Sequence, residues 1–280
     1  MSQADEIAFE RVLRAQRGFA HLDLRELWRY RELFVFLSWR DILVRYKQTY
    51  LGIAWAVLQP VLTMLVFTVI FGRLAKFPSN GMPYAVMTFA ALLPWQFFAN
   101  ALAESSNSVV ASANIISKVY FPRLIIPASA VLSGLLDFAI SLAIMGGLML
   151  WYRIPFQPLL LLLPGFLFVA FCASFATGTW LAALNVKYRD VKYVVPFFTR
   201  MGLYISPVGF MSTIVPGPWR FCYSLNPMVG VIDGFRWCIL GPGFEPYWPG
   251  FWASVVGVGV LLISGVLYFR RTEKTFADLI

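Results

Sequence analysis

The sequence predicts an all-α membrane protein with six transmembrane helices. Three observations carry that expectation. Of the 280 residues, 59% are hydrophobic and only 13% are charged, whereas soluble domains carry about 25% charged residues. Six apolar runs each reach the roughly 20 residues that cross a hydrocarbon core. An amphipathic segment passes without a linker into the first of these runs.

Residues 1–23 mix both charge signs, lack an apolar core and read as a cytosolic N-terminal tail rather than a cleaved signal. Residues 24–50 form the amphipathic interface helix. At helical spacing Trp28, Val35, Trp39, Ile42 and Tyr46 share one stripe, flanked by Arg29, Arg40 and Lys47 on one side and Arg31, Ser38 and Arg45 on the other. Rings in the acyl boundary and cations toward headgroups suit a helix lying in a membrane interface. A six-span domain follows over residues 51–270. Its runs are residues 51–72, 84–103, 124–150, 159–184, 194–215 and 250–269. Residues 271–280 form a cytosolic C-terminal tail.

Six spans put both termini on one side, and the basic residues choose the side. Outside the spans, seventeen Lys and Arg fall on the terminal side and five on the other. Cytoplasmic loops carry the excess of Lys and Arg. The expectation is a multi-pass membrane protein with both termini cytoplasmic. The net charge of +9 then expresses topology, and no nucleic-acid partner is expected.

The outer segment, residues 216–249, holds six prolines, five glycines and three tryptophans. Asn226-Pro227 is a helix start and Gly241-Pro242 a stop. The 14 residues between extend ~21 Å, too short to span. They are expected as a short re-entrant or interfacial helix, with Val231, Phe235 and Ile239 in an apolar stripe and Asp233 and Arg236 pointing elsewhere. Cys222 and Cys238 lie here, where an oxidising compartment permits a disulfide; two unpaired buried thiols are the expectation. With one histidine, His21, and three cysteines without ligand spacing, no metal site is expected.

Two loops on the terminal side present charge and rings from rigid turns. Residues 105–123 end in Tyr120-Phe121-Pro122-Arg123, and proline forces the preceding residue into an extended bend. Residues 185–193 read Asn-Val-Lys-Tyr-Arg-Asp-Val-Lys-Tyr. Both forms suit docking of a partner, and both also fit solvated positive-inside loops. Within the spans the ionisable residues are Asp137 and Arg200, with Glu104 at a span's end. Such residues are functional suspects. Asp137 and Arg200 either pair at overlapping depth or face separate cavities.

The run Arg45-Tyr46-Lys47-Gln48-Thr49-Tyr50-Leu51-Gly52, with Trp55, Gln59-Pro60, Tyr120-Phe121-Pro122-Arg123, Arg189-Asp190, Ser206-Pro207 and Asn226-Pro227, resembles the polysaccharide-export branch of the ABC transporter type-2 permeases. The resemblance covers most of residues 24–270, and the O-antigen lipopolysaccharide exporters look most similar. Capsule and teichoic-acid exporters share the architecture. The resemblance implies placement in the bacterial inner (cytoplasmic) membrane, a homodimer with two ATPase subunits, and a lipid-linked polysaccharide passing between the two permease chains. It places ATPase coupling on Asn114, Lys118, Tyr120, Phe121, Pro122 and Arg123, and on Lys187, Arg189 and Asp190. Phe121 and Tyr120 would fill a pocket on the ATPase, with Lys118 and Arg123 pairing with acids. ATP and Mg would sit on the ATPase, with no cofactor on this chain, which has no phosphate-cradling Gly-x-x-x-x-Gly-Lys-Ser/Thr.

Arg40, Arg45, Tyr46 and Lys47 crowd beside the first span, where an anionic pyrophosphate headgroup would arrive. They are the expected entrance for the lipid-linked glycan, since arginine pairs two phosphate oxygens at once. The same cations could instead hold anionic membrane lipids and enforce topology. Among 48 aromatic residues, Trp55, Tyr204 and Phe210 are the candidates for the channel. The competing classes lack their chemistry. A membrane glycosyltransferase needs paired carboxylates or a metal site, and no Asp-x-Asp occurs. An ion-coupled transporter usually needs several intramembrane carboxylates or broken-helix repeats.

Overall fold

In hydrocarbon a backbone must satisfy its own N–H and C=O groups, and a helix does so within one segment. The computed structural model describes residues 28–47 and 52–276, apart from the side chains of residues 52 and 53, and within them the chain is helical with no strand. The expected tail at 1–23, residues 24–27 and 48–50 of the interface segment, residue 51 and residues 277–280 of the C-terminal tail lie outside the described residues.

Among the described residues ten α-helices follow in order. They are α1 (Arg31–Lys47), α2 (Gly52–Phe67), α3 (Tyr84–Ala111), α4 (Ala113–Ile116), α5 (Ile125–Trp151), α6 (Leu163–Lys187), α7 (Val191–Ile205), α8 (Gly217–Ser224), α9 (Pro227–Leu240) and α10 (Trp248–Thr272). A π-helical stretch, Thr68–Leu74, extends α2, and a 3₁₀ turn, Pro158–Leu162, leads into α6. Among the described residues five segments are long and apolar enough to cross a membrane: Ala54–Leu74, Tyr84–Ala111, Ile125–Trp151, Pro158–Lys187 and Trp248–Thr275.

The run at 194–215 corrects the expectation of six comparable helices. Its helix, α7, has 15 residues, ~22 Å at 1.5 Å per residue and short of a ~30 Å core. Pro207 is the cause. It disfavours helical geometry at the residue before it, and Ser206 is extended with ψ 154°. Beyond it residues 206–211 run without regular structure, and Ser206, Pro207, Val208 and Gly209 are buried. A sixth crossing over this run would be a broken one, which is tolerated only where protein or a cavity surrounds it.

α3 is the centre of the bundle. In its apolar window 78% of residues are buried, against 17–33% in the other four long helices. It packs against α2, α5, α6, α7 and α9. Small side chains permit close approach, as at Gly178, where a Cβ would stand 2.5 Å from Ser105 Oγ. Tyr30 and Leu33, just before and within α1, pack with Val109, Ile116, Phe121, Phe269 and Phe276 in a second cluster. The first and last described segments therefore meet at one end of the bundle, the proximal end. The loops after α3 and after α6 are there too, since Phe121 and Val186 belong to that cluster.

α9 has the expected limits. Asn226 accepts from the Met228 amide at 3.0 Å as N-cap, and Gly241 stops the helix at φ +86°, a region open to glycine. Its environment differs from the expectation. Twelve of its residues are buried, Asp233 and Arg236 included, so it is an inserted core helix rather than one with a polar face. At Gly234 an added Cβ would stand 2.1 Å from the Phe166 ring, which shows how closely α9 and α6 approach. Cys172, Cys222 and Cys238 are free, with Cys222 exposed and Cys238 buried, so the expectation of two buried thiols holds for Cys238 only.

Candidate functional site: an intramembrane groove and a proximal docking face

α1 carries two faces. Trp28, Val35 and Trp39 stand outward, each more than half exposed, while Leu37 and Ser38 are buried. Thus much of the aromatic stripe faces away from the bundle, where rings suit lipid. The opposite face lies along α5 and ends in Arg45 and Tyr46. Arg45 donates to Asp137 of α5 and pairs with Glu104 of α3, and the Tyr46 hydroxyl donates to the other Asp137 oxygen. Ser133 donates to Glu104 at 3.3 Å. Burial, reinforced by the neighbouring Asp137 carboxylate, pushes the Tyr46 phenol up, so it stays a neutral donor.

These positions answer several expectations. Asp137 pairs with Arg45 and Tyr46, while Arg200 is exposed on α7, and among the described residues no ion pair joins the two. Arg45 is held between two carboxylates rather than standing open to an arriving headgroup. Arg40 pairs with its neighbour Asp41 at 2.7 Å, and Lys47 is exposed. Asp137 is twelve residues into α5, ~18 Å along the helix, so the cluster sits midway along α5 rather than at its end.

Around it opens a cavity of ≈ 300 Å³. α1 contributes Arg45 and Tyr46, and α2 contributes Trp55, Gln59 and Pro60. α3 supplies Gln96, Phe97, Asn100 and Glu104, and α5 supplies Asp137, Phe138 and Ser141. Trp55 is thus brought to this site. Tyr204 is not: it is exposed and stacks on Phe67 at 6.1 Å. Phe210 is half-buried, and its carbonyl accepts from Arg236 at 2.8 Å. Gln96, Asn100 and Glu104 had not been grouped from the sequence. Their four-residue spacing within an apolar run was the readable signal, because residues four apart share a helix face.

Arg236 was also missed. It is 1% exposed and donates to three carbonyls: Met87 at 3.3 Å, Phe210 at 2.8 Å and Val208 at 2.9 Å. Asp233 lies 4.0 Å away. The guanidinium thereby satisfies the carbonyls that lost helical partners after Pro207. Tyr84 donates to Gly209 O and Asn226 to Ser206 Oγ, fastening the same stretch.

At the proximal end the coupling candidates separate into two sets. Asn114, Lys118, Tyr120, Lys187, Arg189 and Asp190 are exposed. Phe121 and Pro122 are buried. The expectation that Phe121 enters a partner's pocket is corrected, because it packs in its own chain's second cluster. Arg123 donates to the Glu273 carbonyl and lies 5.9 Å from the Phe276 ring centre, so it fastens the end of α10. Lys187 and Lys192 sit over Tyr188 and Tyr193 at 5.2 and 4.8 Å. Residues 116–121 and Arg123 line a second cavity of ≈ 210 Å³.

The sequence profile of the ABC-2 type transporter family matches residues 32–240. The chain belongs to that family. Among relatives of this ABC-2 chain is an O-antigen export system permease protein RfbA from Myxococcus xanthus. It is 28% identical over 91% of this chain and 98% of its own length. A second RfbA, from Klebsiella pneumoniae, is 26% identical over 89% of this chain and 95% of its own. The polysialic acid transport protein KpsM of Escherichia coli is 23% identical over 84% of this chain and 91% of its own. The ABC-2 assignment makes the chain a transport permease rather than an enzyme.

Proposed function

We propose that this chain is the membrane subunit of an ATP-driven exporter carrying a lipid-linked polysaccharide of the O-antigen type across a bacterial inner membrane. It acts as a homodimer with two copies of a separate ATPase subunit, which holds ATP and Mg. The observation that carries this reading is the match, over nearly their whole lengths, to relatives named as O-antigen export permeases. Export of a capsular polysaccharide is the second reading, favoured by the relative named for polysialic acid transport. Deleting the gene in its parent bacterium tests both. Loss of the long-chain lipopolysaccharide ladder, with lipid-linked polymer accumulating inside, is the expected result. Loss of capsule with an intact ladder would favour the second reading. Unchanged surface glycans would overturn both.

Both termini are cytoplasmic in this proposal. Tyr30 and Phe276 share the proximal cluster, and most basic residues outside the spans lie on the terminal side. Reporter fusions at Ile280 and at Gly217 are expected to give opposite sides, and fusions on the same side would reject the proposed crossing count.

The ATPase docks on the exposed face made by Asn114, Lys118, Tyr120, Lys187, Arg189 and Asp190. Tyr120 is 65% exposed and is the anchor. Truncating an aromatic anchor at an interface costs ~2 kcal/mol or more. Tyr120→Ala is expected to release the ATPase on co-purification while leaving the chain's own thermal stability unchanged. Phe121→Ala is expected to lower stability instead. The reverse pattern would reject Tyr120 as the anchor.

α1, with Arg40, Arg45, Tyr46 and Lys47 at its end, frames the lateral entrance for the lipid-linked glycan. Arg45 contributes as the fastener of α1 to α3 and α5. Lys47 is the exposed cation at the rim.

A further inference from the structure

The groove holds more polar groups than its ion pairs use. Gln96, Asn100 and Glu104 stand one above another on α3, and Asp137 and Ser141 do so on α5. Gln59 enters from α2. Among the described residues the side-chain amides of Gln59, Gln96 and Asn100 make no hydrogen bond. Gln59 and Asn100 are exposed, yet both lie on membrane-length helices. An amide turned to hydrocarbon without a partner is costly. The groove therefore faces something polar.

Its charge narrows the choice. The lining carries two carboxylates, Glu104 and Asp137, and one cation, Arg45, which is held between them. An arriving phosphate would meet a surplus of negative charge and a guanidinium already engaged. A pyranose ring meets complementary groups. Its hydroxyls can donate to the carboxylates and amide oxygens, the amide N–H groups can donate to its oxygens, and Trp55 at the rim, 59% exposed, can stack on its apolar face. The volume of ≈ 300 Å³ lies at the small end of ligand cavities, roughly 300–1,000 Å³.

We propose that this groove is a subsite for neutral or amino-bearing sugar rings of the exported glycan, separate from whatever holds the anionic lipid headgroup. The proposal rests on the export reading above. The test uses the full transporter in its parent cell, with the glycan labelled by an azido sugar. Asn100→benzoylphenylalanine and Gln59→benzoylphenylalanine variants that retain export are irradiated and the purified chain is probed for azide. Azide-bearing adducts are expected at both positions and not in a Trp151→benzoylphenylalanine control, since Trp151 is 82% exposed at the far end of α5. Adducts only with lipid, adducts only with a second copy of this chain, or none, would overturn the subsite.

A second measurement reads affinity. In the reconstituted complex, Gln96→Leu with Asn100→Leu is expected to raise the KM for ATPase stimulation by the lipid-linked glycan roughly tenfold, as losing one or two hydrogen bonds would. An unchanged KM would overturn the proposal. Deletion of the gene without any change in exported glycan would reject the export reading itself, whatever the cross-links show.

Discussion

Arg236→Met is expected to remove most of the folded protein from the membrane. Methionine leaves Val208 O, Phe210 O and Met87 O without their buried donor and strips Asp233 of its cation. Removing one partner of a buried charge pair costs about 3–5 kcal/mol, a large share of a stability that totals only ~5–15 kcal/mol. Arg236→Lys is expected to fall between, because an ammonium is a compact point charge and cannot reach three carbonyls as a planar fork does. Yield of monodisperse chain and its thermal midpoint in detergent are the measurements. Arg200→Met, at an exposed position, is the reference and is expected to match the unsubstituted chain. Equal yields for Arg236→Met and Arg200→Met would show that residues 206–211 hold their shape without the guanidinium.

Arg45→Gln is expected to cut glycan export more than tenfold while part of the protein still folds. The substitution leaves Glu104 and Asp137 unpaired within membrane-length helices. An isolated carboxylate at the middle of a spanning helix costs roughly 2.5–3.5 kcal/mol on the insertion scale, which is ample to unseat α1 from α3 and α5. Arg45→Lys keeps the charge but cannot engage two carboxylates from one planar group, so an intermediate loss is expected. Combining Arg45→Gln with Glu104→Gln and Asp137→Asn is expected to restore chain level and part of the export, because the repulsion and the desolvated charge are removed together. Surface glycan normalised to chain level is the readout. Arg45→Gln at full export, or no rescue by the triple change, would reject the fastening role.

How much of this could be read beforehand follows from the range of the interactions involved. Asn226-Pro227 and Gly241 set the limits of α9 through capping, which acts within a turn, and both were legible. So was the stop at Ser206-Pro207 in principle, since proline acts on its own neighbour. The run at 194–215 is apolar enough by composition to pass for one helix, which masks that stop. The partner of Asp137 was not legible. Arg45 lies ninety-two positions away, and no local pattern distinguishes it from Arg200 as the cation that meets Asp137. Burial of Phe121 was hidden for a like reason. Its own loop looks like a docking turn, and the residues that cover it come from the ends of α3, α6 and α10.

The amino-acid sequence alone determined the solvent, the helical class, the amphipathic pattern of α1 and the limits of the short helix at 227–240. Each of these follows from composition, period or capping, which are properties of neighbouring residues. Only the tertiary structure decided which polar groups meet. It drew Arg45 and Tyr46 onto Asp137 and Glu104, turned Gln59, Gln96 and Asn100 into one groove, and set Arg236 under the unwound stretch after α7. Those outcomes depend on how helices rotate and slide against one another. That choice belongs to close packing around α3, whose small residues let its neighbours approach, and packing sums contacts between segments that are distant in the chain.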